Sequence, residues 1–273
     1  MAVTMADISK LRTMTGAGMM DCKNALTEAN NDFDAAIKII REKGQAVAAK
    51  RSDREASEGC VLAGLNGGFA AVLALKCETD FVAKNADFIA LTKSILDVAL
   101  ATKPASLDAL KNENIDGRTI QELVTERSGI TGEKMELDYY EFVNDAYATF
   151  YIHPGNKLAT IVSFNKETEY QVGHDIAMQA AAMSPISLDR ESVPASIIES
   201  ELEIGREKAR QEGKPENMLD KIAQGRLNKF YQESTLMEQA FIKDGKLSIA
   251  QYVKNADKDL KVTAFKRVTL NQE

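Results

Sequence analysis

Cys60-Val61-Leu62-Ala63-Gly64-Leu65, then Asn66-Gly67-Gly68, then Phe69-Ala70-Ala71-Val72-Leu73-Ala74-Leu75-Lys76-Cys77: here two apolar runs flank three residues whose Asn-Gly pair tolerates the positive φ of a tight turn. The pattern predicts a β-hairpin. What lies before it has the opposite period. Met5, Ile8 and Leu11 mark one apolar stripe, Cys22, Ala25, Leu26 and Ala29 a second, and Phe33, Ala36, Ile37 and Ile40 a third. Each is spaced for one helix face. Gly16 and Gly18 separate the first two helices, Asn30-Asn31-Asp32 the next two, and Gly44 behind Lys43 is expected to stop the third. From Arg41 to Glu58 five bases and four acids stand among alanines and serines, which reads as a solvated linker or an extended helix end.

Downstream of the hairpin, Phe88, Leu91, Thr92, Ile95 and Ala99 share one face of a helix that ends before Pro104, and Leu107 to Arg127 is expected to add more helix. Met135–Val143, Ala146–His153 and Leu158–Phe164 read as a meander with bends at Asn144-Asp145 and Pro154-Gly155-Asn156. A further helix carries Val172, Ile176, Ala180 and Met183 and stops at Pro185. Ser196–Glu212 and Glu216–Tyr231 form an expected antiparallel helix pair about Gly213-Lys214-Pro215. From Glu201 to Glu233 that arm holds seven acids and seven bases, suited to a solvent-projecting element. A short helix, Ser248–Asn255, and a strand, Val262–Leu270, close the chain. The fold class is α+β with segregated small sheets, and the two strand–helix blocks hint at a duplication.

The 273 residues carry 34 Lys+Arg against 41 Asp+Glu, a net charge of −7. A whole-molecule attraction to nucleic acid or anionic membrane is excluded by that balance. No apolar run approaches the roughly 20 residues a bilayer requires, and Met1–Lys10 lacks the features of a signal peptide. A soluble cytoplasmic protein is expected. Reactive groups are scarce: two histidines, His153 and His174, and three separated cysteines, Cys22, Cys60 and Cys77, give neither zinc spacing nor a disulfide framework. Phosphate loops, dinucleotide fingerprints and nucleophile elbows are absent. No metal, cofactor or catalytic residue is expected. A hydrolase built on a carboxylate pair survives only because acids are plentiful.

Leu11-Arg12-Thr13-Met14-Thr15-Gly16-Ala17-Gly18-Met19-Met20-Asp21-Cys22-Lys23-Asn24-Ala25-Leu26 closely resembles the N-terminal signature of the bacterial elongation factor Ts family, and Cys77-Glu78-Thr79-Asp80-Phe81-Val82-Ala83-Lys84-Asn85 resembles its second signature. The similarity continues through Tyr151-Ile152-His153, Asp175-Ile176-Ala177-Met178 and Gln224-Gly225-Arg226-Leu227-Asn228-Lys229-Phe230. Gln179, where the family often has His, and Gln239-Ala240-Phe241, where it often reads Gln-Pro-Phe, depart from it.

The resemblance implies a ubiquitin-associated-like three-helix module over residues 1–54, a core of two α+β subdomains at 55–138 and 139–273, and an inserted helical hairpin at 184–235. It implies guanine-nucleotide exchange on elongation factor Tu, bound in its GDP-loaded and nucleotide-free states, without covalent chemistry. Thr79, Asp80, Phe81 and Val82 would enter the GTPase near its magnesium site. Leu11, Arg12, Gly16, Ala17, Met19, Met20, Thr131, Gly132 and His153 would bind it elsewhere.

The residues also admit plainer readings. Met19 and Met20 could plug the bundle core, Thr79 or Asp80 could cap a helix with Phe81 packed beneath, and Gly132 could serve only a turn. His153 could be an ordinary hydrogen-bonded strand-end residue. An adaptor that docks translation proteins through its N-terminal module is the rival function. A homodimer is left open.

Overall fold

The computed structural model describes residues 2–271; Met1, Gln272 and Glu273, at the outer ends of the expected first and last regions, lie outside it. Three helices come first: α1 Met5–Thr15, α2 Met19–Glu28 and α3 Phe33–Lys50. Thr4 and Asp7 form a capping box on α1, and the Asp32 side chain accepts from Ala35 N to cap α3. Ile8, Leu11, Cys22, Ala25, Leu26, Ala36 and Ile40 fill the space between them.

Gly44 does not end α3, as its composition suggests. It is buried inside the helix, where α3 packs closely on a later helix at Gly129.

β1 Glu58–Asn66 and β2 Phe69–Cys77 pair from Glu58↔Cys77 to Asn66↔Phe69, and Gly67 takes the positive φ of the turn. α4 Asp80–Ala83 is a single turn leading into α5 Ala86–Thr102. The expected long helix after Leu107 is broken in two. α6 Leu107–Asn112 is followed by a miniature ladder, β3 Asn114–Ile115 and β4 Arg118–Thr119, turned by Asp116-Gly117. A Thr119/Glu122 capping box then starts α7 Ile120–Thr131.

β5 Glu136–Asn144 does not run on as a meander with the strands that follow it. It pairs antiparallel with β2, from Phe69↔Asn144 to Lys76↔Glu136. β6 Tyr147–Ile152 and β7 Leu158–Phe164 belong to a second sheet, completed by β10 Val262–Thr269 in the order β10-β7-β6. The reason lies in β2: its near-continuous apolar run is buried on both faces, which leaves its backbone N–H and C=O groups without water, and β1 on one edge and β5 on the other supply their partners. Between β7 and β10 come α8 Tyr170–Met183, the helical hairpin α9 Ala195–Gln211 and α10 Leu219–Ser234 with a 3-10 turn at Glu216–Met218, the short ladder β8 Ala240–Phe241 with β9 Asp244–Ser248, and α11 Ile249–Ala256.

Period-two alternation sorts the core into layers. Phe69, Ala71, Leu73 and Leu75 of β2 face α5, whose Phe88, Ile95, Leu96 and Ala99 cover them. Ala70, Val72 and Ala74 face the second sheet and meet Ala148, Ala159 and Ile161. Val162 and Phe164 then turn outward to Ile176, Ala177 and Ala180 of α8. The result is helix, sheet, sheet, helix. Among the described residues no helix is long and apolar enough to cross a membrane.

Candidate functional site

β2 delivers the chain to Glu78 and Thr79 at one end of the first sheet. Thr79 is the N-cap of α4: its backbone is extended, and its hydroxyl accepts from Val82 N at 3.4 Å. Asp80 therefore does not perform the cap. It accepts instead from Lys84 Nζ at 2.6 Å, and that bond holds the Asp80 carboxyl below its ordinary range, so it is charged at neutral pH. Ala83 is buried and Val82 packs against the first core, which turns the opposite side of the helix outward. Phe81 stands on that side. It is 84% exposed, the largest value for any bulky apolar side chain among the described residues. Phe81 is not packed beneath the helix.

Behind this turn lies the connection from α7 to β5. Glu133 accepts from Glu78 N and Thr79 N, each at 3.1 Å, and from the Thr79 hydroxyl at 2.6 Å. Glu78 answers by accepting from Lys134 N at 2.6 Å and from Arg54 Nη1 at 2.9 Å. Those two donors hold the Glu78 carboxyl below its ordinary range. Sequence analysis does not foresee this pairing of the two glutamates, because the bonds from Glu78 N to Glu133 and from Lys134 N to Glu78 each span more than 50 positions. Cys77 is buried beside them and its thiol is pushed up to about 12, chiefly by burial, so it is no nucleophile at neutral pH.

Thr131 is the last residue of α7, and Gly132 is its left-handed C-cap with φ 73°. Both line a groove of about 360 Å³ together with Ala17, Asp21, Ile40 and Val47 of the N-terminal bundle. Gly16, at the end of α1, lies beside Arg127 and Ile130 of α7. The bundle loop, the α7 terminus and the Thr79–Val82 turn thus form one continuous margin.

Within the loop the side chains divide. Leu11 is fully buried and Ala17 nearly so, and both support the loop from inside with no surface to present. Arg12, Met14, Met19 and Met20 face outward, Met20 at 63% exposure, so the methionines do not plug the bundle.

His153 is set apart from this margin. Its backbone begins the turn whose Gly155, Asn156 and Lys157 line a small cleft with Asp80, Ala83 and Lys84. Its ring, however, points to the α8 side: Nδ1 lies 3.0 Å from the Tyr151 hydroxyl. Tyr151 meets His174 edge-on with centroids 5.6 Å apart, and Tyr170 stacks on His174 at 5.3 Å. Both histidines of the chain thus share one aromatic cluster, a convergence across β6 and α8 without a local sequence signal.

Among the described residues no group of three or more His, Cys, Asp or Glu is arranged to hold a metal ion. Phe81 is an exposed phenyl ring beside the charged Asp80 carboxylate on a braced turn, and the bundle loop separately exposes Met14, Met19 and Met20.

Comparison with known proteins agrees in extent. The family model described as Elongation factor TS matches residues 78–272. A protein of Porphyromonas gingivalis named elongation factor Ts is 60% identical over 274 residues, with 100% of each chain covered. Others of that name, from Azobacteroides pseudotrichonymphae and Phocaeicola vulgatus, are 54% and 48% identical, again over 100% of each chain.

Proposed function

The chain belongs to the elongation factor Ts family, with a role in translation elongation, and from that premise we propose that it is a guanine-nucleotide exchange factor for elongation factor Tu. It acts in the cytoplasm on the GDP-bound GTPase, and no covalent bond is made or broken. The observation that carries this reading is Phe81, exposed at 84% on a turn whose backbone is tied down on the inner side. Seating such a ring in an apolar slot of a partner contributes about 1.5–3 kcal/mol. Asp80, charged and adjacent, enters with it and perturbs the groups around the partner's magnesium ion. That ion bridges protein and phosphate charge, so loosening it releases GDP.

Met19, Met20 and Arg12 dock the bundle loop against the same partner, with Thr131 and Gly132 beside them. His153 supplies a second contact region from the other sheet. Coupling is reciprocal: GDP weakens binding of this protein by the factor with which the protein weakens GDP. A pure adaptor accounts for the exposed methionines but leaves Phe81 and Asp80 without a task.

The test is stopped-flow release of a fluorescent GDP analogue from elongation factor Tu. Phe81→Ala is expected to slow catalysed release more than tenfold while the melting temperature barely moves. Surface substitutions stay within about ±0.5 kcal/mol of stability, whereas truncating a core Phe costs about 3–5 kcal/mol. Wild-type release rates from the folded variant would refute the exchange reading.

A further inference from the structure

The ring of Phe81 cannot set its own direction, since it is almost wholly exposed. The four-residue helix beneath it cannot do so either, because one isolated turn fixes several dihedrals for a single hydrogen bond and is unfavourable by itself. What fixes the turn is a carboxylate on another segment. The two backbone N–H groups that precede α4, those of Glu78 and Thr79, both point at Glu133 Oε2, and the Thr79 hydroxyl donates to Oε1. That last bond decides the cap. A threonine hydroxyl has one proton, and giving it to Glu133 leaves a lone pair for Val82 N.

Glu133 is in turn held by its own backbone, its carbonyl accepting from Ser128 Oγ at 2.5 Å and its N–H donating to Thr131 Oγ1 at 3.3 Å. The bond from Lys134 N to Glu78 closes the exchange between the two segments.

We propose that Glu133 is a positioning residue for the exchange reaction, acting through Phe81 by fixing the direction in which the Thr79–Val82 turn presents it. The proposal rests on the exchange reading above. A carboxylate is required because three donors converge on it. The amide of a glutamine has a single acceptor oxygen, and its NH2 would face either the two backbone N–H groups or the threonine proton. Replacing Glu133 by Gln therefore removes part of the brace without changing the size of the side chain.

The experiment is a double-mutant cycle on the full chain, with Glu133→Gln, Phe81→Ala and the pair assayed for release of a fluorescent GDP analogue from elongation factor Tu, alongside melting curves. Glu133→Gln is expected to lower the maximal release rate about tenfold, to shift the half-saturating concentration less than about threefold, and to add less than about twofold to the loss caused by Phe81→Ala. Thr79→Val is expected to reproduce the Glu133→Gln loss and Thr79→Ser to retain most of the wild-type rate, which keeps the idea testable if Glu133→Gln folds poorly. If Phe81→Ala releases GDP at the wild-type rate, the exchange reading itself falls. If Phe81→Ala is slow but Glu133→Gln and Thr79→Val are not, or if the Glu133→Gln and Phe81→Ala losses multiply, the positioning role is overturned and Glu133 only staples the fold.

Discussion

Asp175 is a charged group that the interior keeps. It is 4% exposed and accepts from Lys243 Nζ at 2.6 Å, Gln171 Nε2 at 2.7 Å and the Tyr252 hydroxyl at 2.9 Å. Burial alone would raise its carboxyl, but the bonds from Lys243, Tyr252 and Gln171 outweigh that and hold it below the ordinary 3.8. Its partner Tyr252 is pushed up to about 12, by burial first and by the Asp175 carboxylate second. A depressed folded-state value means the stabilisation is fully present above the unfolded value and disappears as pH falls through the folded one. Asp175→Asn should therefore melt lower at pH 7, by about 1–3 kcal/mol for the unsatisfied donors. Its melting temperature should fall less steeply than the wild type's below about pH 4. Parallel melting curves across that range would show that Asp175 carries no such linkage. Identities of this kind were only half legible. The sequence marks Asp175 and the Thr79–Val82 segment as distinctive, yet Phe81 and Val82 are neighbouring apolar residues. Which of them faces solvent is decided by how a single helical turn sits on the core, and no periodicity spans one turn.

Among the elements, α3 and α7 depart most from local expectation. Composition argues that Gly44 ends α3, because glycine is a poor helix interior residue, by about 1 kcal/mol against alanine. It stays in the helix because α7 approaches there. A Cβ on Gly129 would lie 2.1 Å from Gly44 Cα, whereas a Cβ on Gly44 would meet Gly129 Cα at 3.5 Å, an ordinary contact. The pair is thus unequal, which gives a test. Gly129→Ala forces the two backbones apart and should cost about 1–3 kcal/mol. Because α3 belongs to the N-terminal bundle, it should also speed proteolysis in the 51–57 segment. Gly44→Ala should be tolerated within about 1 kcal/mol, helped by its helix propensity. Equal effects from the two would mean that the helices do not pack as described. The same division between local and distant information explains β5. Its alternating residues announce a strand, but its partner in the ladder is β2, more than 50 positions earlier, and only the completed sheet reveals the pairing. Asp116-Gly117 is a different case, a turn signal of known type standing in plain view inside a stretch expected to be helical.

For the whole molecule, the two halves repeat one plan. Hairpin β1–β2, helix α5 and return strand β5 give the order β1-β2-β5; hairpin β6–β7, helix α8 and return strand β10 give β6-β7-β10. Seen this way, α9 and α10 are an insertion in the second copy, between its helix and its return strand. Their small core, Val193, Leu227 and Tyr231, is separate from the cores of the two sheets. Much of the rest is surface charge pairing, such as Arg206 with Asp220 at 2.7 Å and Arg226 with Glu212 at 2.6 Å, and exposed pairs contribute little. The site margin lies on the first copy and the N-terminal bundle, whereas the hairpin is rooted where Ile186 N donates to Ser234 O and Ser187 bridges to Thr235. Replacing residues 195–233 by a short Gly/Ser linker keeps that root. Catalysed GDP release should then stay within about tenfold of the full chain, equivalent to roughly 1.4 kcal/mol of coupling. The two sheets should melt near their original temperature, since their cores are untouched. If release fell a hundredfold while the fold persisted, the arm would have to bear on the GTPase directly or on an assembly that the reaction requires. The exchange step could then no longer be assigned to the Thr79–Val82 turn, the bundle loop and the His153 region without the arm.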